Sequence, residues 1–322
     1  MLSPRTRLCD LLGIDIPLFN APMTPQAGGA LARAVAQAGA FGMLGFDEDE
    51  TDAEIAAQLD LLALAPRPRF GIGLAAWVLE RSPHLLATAI AAKPDVISIS
   101  FGDPAPYAKR VRDAGILLAS QVQSRARAQQ AIDAGVDILV AQGTEAGGHT
   151  GAVGTLPLLQ IVLDMTDRPV LAAGGIATGR GFAAVIAAGA AGAWVGTPFL
   201  LATESRSTAQ ARERILAADE TQTVLTSLFD RLQSKPWPVE FRGRALRNAF
   251  ETEWHGREDE LDEAARARFQ TAKAARDLDV AHVYAGESVG LLRAERPAGE
   301  IVRTLANDAG ACLRAVEVRE RV

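Results

Sequence analysis

Residues 128–143 read Ala128-Gln129-Gln130-Ala131-Ile132-Asp133-Ala134-Gly135-Val136-Asp137-Ile138-Leu139-Val140-Ala141-Gln142-Gly143, and they contain one whole joint of the fold. An Ala-rich amphipathic segment, Arg125–Ala134, ends at a glycine. A short apolar run, Asp137–Ala141, follows at once with little polar alternation, as expected of a strand buried on both faces. Gly135 supplies the left-handed residue that ends a helix without steric cost. The same phrase recurs at Ala38-Gly39-Ala40, Ala114-Gly115-Ile116 and Ala188-Gly189-Ala190.

Working outward from that joint, buried strands are expected at Ile16–Asn20, Ala40–Leu44, Arg69–Leu74, Asp95–Ser100, Ile116–Ser120, Asp137–Ala141, Pro169–Ala173 and Gly192–Gly196. Helical patterns lie between them at Leu31–Ala38, Asp52–Leu64, Glu80–Ala92, Tyr107–Ala114, Arg125–Ala134, Leu156–Asp164 and Arg180–Ala188. A doubly wound open sheet shares this alternation, but eight such units favour closure into a (β/α)8 TIM barrel. The 322-residue length suits a barrel of about 250 residues plus a smaller appended element.

After Phe199 the pattern changes. Between about Arg212 and Glu287 no strand is evident, whereas charged helical stretches are, Ala264–Leu278 most clearly. Lys235-Pro236-Trp237-Pro238 interrupts them with a turn. The expected division is therefore a barrel over 1–211, a helical subdomain over 212–287, and a final segment over 288–322 that folds back as another helix. A lid and a bland extension fit this region equally well.

Composition narrows the function classes. A net charge of −6 and the absence of a defensible basic face argue against nucleic acid. Every apolar stretch is short and interrupted, so no bilayer span is expected. The first ten residues carry Arg5 and Arg7 but no signal-peptide core. Two cysteines, Cys9 and Cys312, make neither a disulfide framework nor a metal motif. These features lead us to expect a soluble, cytoplasmic protein without a metal.

In a barrel of this kind the chemistry sits at the C-terminal strand ends, with phosphate held by the last two loops. Those loops read Ala172-Ala173-Gly174-Gly175-Ile176 and Val195-Gly196-Thr197-Pro198. Their glycines let backbone N–H groups converge on an oxyanion, Thr197 adds a hydroxyl, and a helix starting near Gly179 adds its positive end. Either loop alone would be an ordinary tight turn. The sixth strand ends in Gly143-Thr144-Glu145-Ala146-Gly147-Gly148-His149-Thr150-Gly151, a glycine-rich loop able to lie flat against a planar ligand. His149 there is placed to exchange protons near neutral pH, with Glu145 as a residue that could orient it. His84, His255 and His282 read as structural or merely exposed. Ala21-Pro22-Met23 is open to two readings, a packed turn or a rigid edge against a flavin.

These motifs, with Ser98-Ile99-Ser100-Phe101-Gly102, Gly179-Arg180-Gly181 and Gly196-Thr197-Pro198-Phe199-Leu200, resemble in order and spacing those of the nitronate monooxygenases. The resemblance runs from about Thr6 to Ser205, with Glu204-Ser205 at its end. It continues more weakly at Gly243–Phe250 and Tyr284–Leu292. It implies an FMN enzyme in which Ala21, Pro22 and Met23 edge the flavin. Gln121 approaches it, and Gly147 and Gly148 lie beside the ring. Ala173, Gly174, Gly175, Gly196 and Thr197 bind the phosphate, and His149 is the catalytic histidine. Gly73 is also among the implied cofactor-binding positions, but it falls where many relatives carry a flavin-directed Asn, and the loop after it is shorter than in many members, so the substrate pocket departs from the family pattern.

The implied activity is oxidation of alkyl nitronates, and of the parent nitroalkanes, with O2 to nitrite and a carbonyl compound. One rival is an NAD(P)H-dependent FMN reductase of a quinone or enoyl thioester. Another is a non-redox barrel that binds a phosphorylated metabolite. A small-molecule substrate and O2 are the expected partners, and a homodimer is one possible assembly.

Overall fold

The computed structural model describes residues 3–315. Eight parallel strands form the expected barrel: β1 (Leu18–Asn20), β2 (Gly42–Gly45), β3 (Phe70–Ala75), β4 (Val96–Ser100), β5 (Leu117–Val122), β6 (Ile138–Gln142), then β8 (Val170–Ala173) and β9 (Gly192–Val195). Each overlaps a run expected from the sequence. A further short strand, β7 (Gly148–Thr150), lies in the loop after β6.

The barrel closes between β1 and β2 through a single parallel bridge, Phe19 to Phe41. The buried Asn20 side chain completes that seam. Its Nδ2 donates to the Met43 carbonyl at 2.7 Å and its Oδ1 accepts the Met43 N–H at 2.8 Å. A side-chain amide thus supplies the donor and acceptor that a short ladder lacks.

Two apolar layers share the strands. Outward residues such as Leu18, Ile72, Ile97 and Leu139 pack under the helices, and inward residues fill the barrel: Phe19, Phe41, Met43, Val96, Ala119, Val140, Leu171 and Trp194. The helix Arg7–Leu12 plugs the N-terminal end with Leu8, Cys9 and Leu12. Gly39, Gly115, Gly135 and Gly189 all have φ between +72° and +101°, as the recurring helix-to-strand phrase requires.

Three expectations change. Glu80–Ala92 is two helices, Ala76–Arg81 and His84–Ala91. They part at Ser82-Pro83, because proline cannot donate to the preceding turn. The region 212–287 contains two strands as well as helices: β10 (Thr223–Thr226) and β11 (Arg242–Leu246) pair antiparallel, and β11 also pairs with β7. The last segment is a 3-10 turn, Glu287–Leu291, followed after a non-helical stretch by a helix only from Ala298 to Arg314; residues 316–322 of its expected span lie outside the described residues.

That helix buries Ile301, Val302, Leu305, Ala306 and Ala309 against the helices Gly179–Ala187 and Gly29–Gln37. Gly179 makes the approach possible, since a Cβ there would lie 2.2 Å from Asp308 Cβ. The helix therefore fills the eighth helical position of the barrel ring, and β10 and β11, which extend the small sheet from β7, are inserted between the eighth strand and the eighth helix.

Candidate active site

Alternation along the strands decides what the C-terminal mouth is made of. Counting on from the interior residues, the inward positions nearest the mouth are Ala21, Gly45, Gly73, Ser100, Gln121, Gln142, Ala173 and Gly196. Six of these have a small side chain or none. The barrel thus ends in a platform nearly free of side chains, edged by two amides. Ser100 Oγ accepts the Gln121 N–H at 2.9 Å, and Gln123 Nε2 donates to Gln142 Oε1 at 2.7 Å. Gln123 Oε1 is buried and has no partner.

The glycines of this face separate by what a Cβ would meet. At Gly73 it would lie 2.4 Å from Pro22 Cγ, and at Gly147 2.6 Å from the Ala285 carbonyl carbon. Both are glycine because the protein packs against them. At Gly196, by contrast, the nearest atoms are Met23 Sδ at 3.6 Å and Ala21 Cβ at 3.8 Å. At Gly148 no atom lies within 4 Å, although its φ of +71° still suits glycine. Gly174 and Gly175 are consecutive left-handed residues, φ +104° and +72°. Gly175 is exposed, with its nearest neighbour 3.6 Å away. The chain packs little against Gly148, Gly175 and Gly196, as expected of a cradle for a ligand. Thr197 Oγ1 accepts the Gly286 N–H at 2.9 Å, which leaves its own hydroxyl proton available.

Glu145 does not reach His149. Its carboxylate accepts from Thr155 N and Oγ1 at 2.8–3.1 Å, and Thr155 Oγ1 also reaches the carbonyls of Ala173 and Gly174 at 3.2 Å. A carboxylate at the start of the helix Thr155–Leu163 satisfies its free N–H groups, so Glu145 ties the His149 loop to the Gly174 loop.

His149 is held from both ends. Its backbone pairs with Gly243 of β11, and its carbonyl accepts from Gln142 Nε2 at 3.0 Å. The ring is buried, with Nε2 2.8 Å from Asp230 Oδ1. Trp237 stacks on it at 3.4 Å between centroids and 6° between planes. The Tyr284 hydroxyl reaches the same Asp230 oxygen at 3.3 Å. Gly243 allows that approach, because a Cβ there would lie 2.7 Å from Tyr284 Cε1. Burial, then the adjoining Asp230, push the Tyr284 phenol well above its ordinary range, so it stays a donor.

The segment Lys235–Phe241 crosses the mouth as a strap. Lys235 Nζ bonds Asp49 at 2.7 Å and Asp47 at 3.1 Å beyond β2. Trp237 meets Trp77 and Phe101, beyond β3 and β4, edge-on at 5.1 and 5.2 Å. Glu240 pairs with Arg127 beyond β5. Asp230, Trp237 and Tyr284 were absent from the sequence-based site. They are distant from His149 in the chain, and nothing local to any of them signals an active site. Among the described residues no group of three or more His, Cys, Asp or Glu is placed to hold a metal, and no helix is long and apolar enough to cross a membrane.

Comparison with known proteins agrees with this geometry. The sequence model of the nitronate monooxygenase family matches residues 79–308. A nitronate monooxygenase of Neurospora crassa is 30% identical over 344 positions, covering 93% of this chain and 90% of that protein. A (3aS,4S,5R,7aS)-5-hydroxy-7a-methyl-1-oxo-octahydro-1H-indene-4-carboxyl-CoA dehydrogenase of Rhodococcus jostii is 32% identical over 230 positions, 71% of this chain but only 65% of that relative's length. Among solved structures, FabK from Thermotoga maritima superposes with a TM-score of 0.85 at 27% identity, covering 97% of this chain and 98% of that one. A nitroalkane oxidase from Streptomyces ansochromogenes gives 0.81 at 27% identity, covering 96% and 99%. The chain belongs to the nitronate monooxygenase family of flavin-dependent oxidoreductases.

Proposed function

We propose that the chain is an FMN-dependent oxidoreductase that oxidises alkyl nitronates, and their parent nitroalkanes, with O2 to nitrite and a carbonyl compound. The observation that carries this reading is the side-chain-poor platform at the barrel mouth, with His149 one hydrogen bond from its edge through Gln142. A flat ring system fits such a platform. Backbone N–H groups of Gly174, Gly175 and Gly196 with the Thr197 hydroxyl would hold a single phosphate at its rim, beside Ala173. Ala21, Pro22, Met23, Gln121 and Gly148 would border the ring. Gly73 and Gly147 would act through backbone alone, since Pro22 and Ala285 cover their open faces.

FMN, when bound, supplies the electron acceptor and the reaction with O2. The chain's own residues bind, orient and handle the proton. His149 would accept the acidic α-proton of a neutral nitroalkane, and Trp237 with Phe101 and Trp77 would wall off water.

A second reading rests on the carboxyl-CoA dehydrogenase relative and the FabK likeness: an NAD(P)H-linked flavin enzyme acting on a CoA or other thioester. Anaerobic mixing separates the two. Nitronate is expected to bleach the flavin of the purified yellow protein, and NADH is not; the reverse selects the second reading. Mass analysis of the released cofactor should give FMN, and a colourless protein that takes up no FMN would leave only a non-redox barrel. Replacing His149 with Asn should lower nitroalkane turnover by about 10²–10⁴-fold, the usual contribution of a positioned base, with FMN content unchanged.

A further inference from the structure

The general base proposed for this site has, among the described residues, one protein partner for its ring nitrogens, and that partner comes from outside the barrel. Among the described residues, the hydrogen bond between His149 Nε2 and Asp230 Oδ1 at 2.8 Å is the only one made by the imidazole. The two side chains are 7% and 9% exposed. A carboxylate accepts hydrogen bonds and, when ionised, donates none. A close contact to an imidazole nitrogen therefore requires the proton to sit on that nitrogen, which is Nε2. In the neutral ring the lone pair is then on Nδ1. The Tyr284 hydroxyl, itself held protonated, donates to the same Asp230 oxygen. Tyr284 thereby adds a second donor to that oxygen.

We propose that Asp230 is the positioning residue of the reaction: it fixes the Nε2–H tautomer of His149 and leaves Nδ1 as the atom that takes the substrate proton. In the step it serves, the Cα–H bond of a neutral nitroalkane breaks. Its electron pair enters the developing C=N bond with the charge carried on the nitro oxygens, and the proton ends on Nδ1. Asp230 stabilises the imidazolium so formed without itself being protonated. The inserted subdomain is therefore part of the catalytic apparatus, since its short helix Leu228–Gln233 carries Asp230 and its strand β11 holds the His149 backbone. This inference builds on the nitroalkane reading of the site, but its first test does not.

That first test is the 15N NMR spectrum of the imidazoles in the flavin-containing protein, with His149 assigned by its loss in His149→Asn. The expected result is a protonated Nε2 and an unprotonated Nδ1. In Asp230→Asn the amide NH2 can face Nε2 as a donor, so the tautomer should invert; in Asp230→Glu it should be kept. The second test compares neutral nitroalkane with pre-formed nitronate. Asp230→Asn should lower nitroalkane turnover by about 10²–10⁴-fold, leave nitronate turnover within a few-fold, and leave bound flavin unchanged, while Asp230→Glu recovers most of the nitroalkane rate. A purely structural role predicts equal losses with both substrates. An Nδ1–H tautomer in the wild-type protein, or an unchanged tautomer in Asp230→Asn, overturns the proposal. If the wild-type protein oxidises neither nitro compound, the functional reading falls, and the tautomer alone still decides whether Asp230 sets the ring.

Discussion

Among individual residues, glycines that look alike in the sequence do unlike work. Gly73, Gly147, Gly148, Gly174, Gly175 and Gly196 all read as ligand-facing, because glycine marks any place where something comes close. Only the three-dimensional neighbours distinguish a protein atom from an open space. Gly196 has φ −104°, which any residue adopts, and a Cβ there would touch Met23 and Ala21 at ordinary distances. Gly196→Val should therefore change apo-protein stability by no more than about 1 kcal/mol, while raising the FMN dissociation constant about tenfold or more, equivalent to about 1.4 kcal/mol. Gly73→Ala is the opposite case. Its Cβ would sit 2.4 Å from Pro22, so the melting temperature of the apo-protein should fall. Titration of FMN into both apo-variants, beside their thermal melts, measures the contrast. An unaltered FMN affinity in Gly196→Val would remove that residue from the phosphate site.

For whole elements, legibility followed the length and uniformity of the apolar runs. The eight barrel strands were readable because each is buried on both faces and is followed or preceded by a capped helix. By contrast, β7, β10 and β11, none shorter than the barrel strand β1, carry polar or charged residues, with His149, Thr150, Thr223, Thr226, Arg242 and Arg244 among them. The pairing of β7 with β11 joins residues more than ninety positions apart, which no local periodicity reveals. The same holds for the site: the glycine loops and His149 were visible, whereas Asp230 lies 81 positions from the histidine it bonds. Of the Lys235–Phe241 strap, only Lys235-Pro236-Trp237-Pro238 had been read, and only as a turn. Lys235 stays charged there because its bonds to Asp49 and Asp47 outweigh the opposing effect of burial. If those bonds pin the strap, Lys235→Ala should speed amide exchange of Trp237 and Phe241 about tenfold, or about 1.4 kcal/mol of local opening, and leave the barrel strands protected. Hydrogen-exchange mass spectrometry reads this directly. Exchange at the unprotected rate in the wild-type strap would show that it is not pinned at all.

Across the whole molecule, barrel and insertion depend on each other, since β7 is an edge of the small sheet and the helix after that sheet completes the barrel ring. The insertion has its own apolar centre of Leu228, Phe229, Phe250 and Phe269. His282 lies beside it, stacked on Phe269 at 6.0 Å and tilted against Tyr284 at 4.6 Å, with a buried Nδ1 that has no partner. Burial, reinforced by the positive charge of Lys273, pulls its pKa down from 6.5 to about 3. In the unfolded chain the same imidazole titrates at its ordinary value, so between these limits the unfolded state holds a proton that the folded state does not. Stability must then rise with pH across that window and fall as pH drops from about 6.5 toward about 3, with no further loss from this group below it. The slope approaches about 1.4 kcal/mol per pH unit, or about 2 kcal/mol between pH 7 and pH 5. His282→Phe keeps an aromatic ring among Phe229, Phe269 and Tyr284 and removes the titration. Other groups contribute alike to both proteins, so the difference between their urea-unfolding free energies isolates His282. That difference should widen in favour of the variant on acidification and stay constant above pH 7. Parallel pH profiles for the two proteins would show that the unfolded and folded states protonate His282 alike, and that the core of the insertion is open to water.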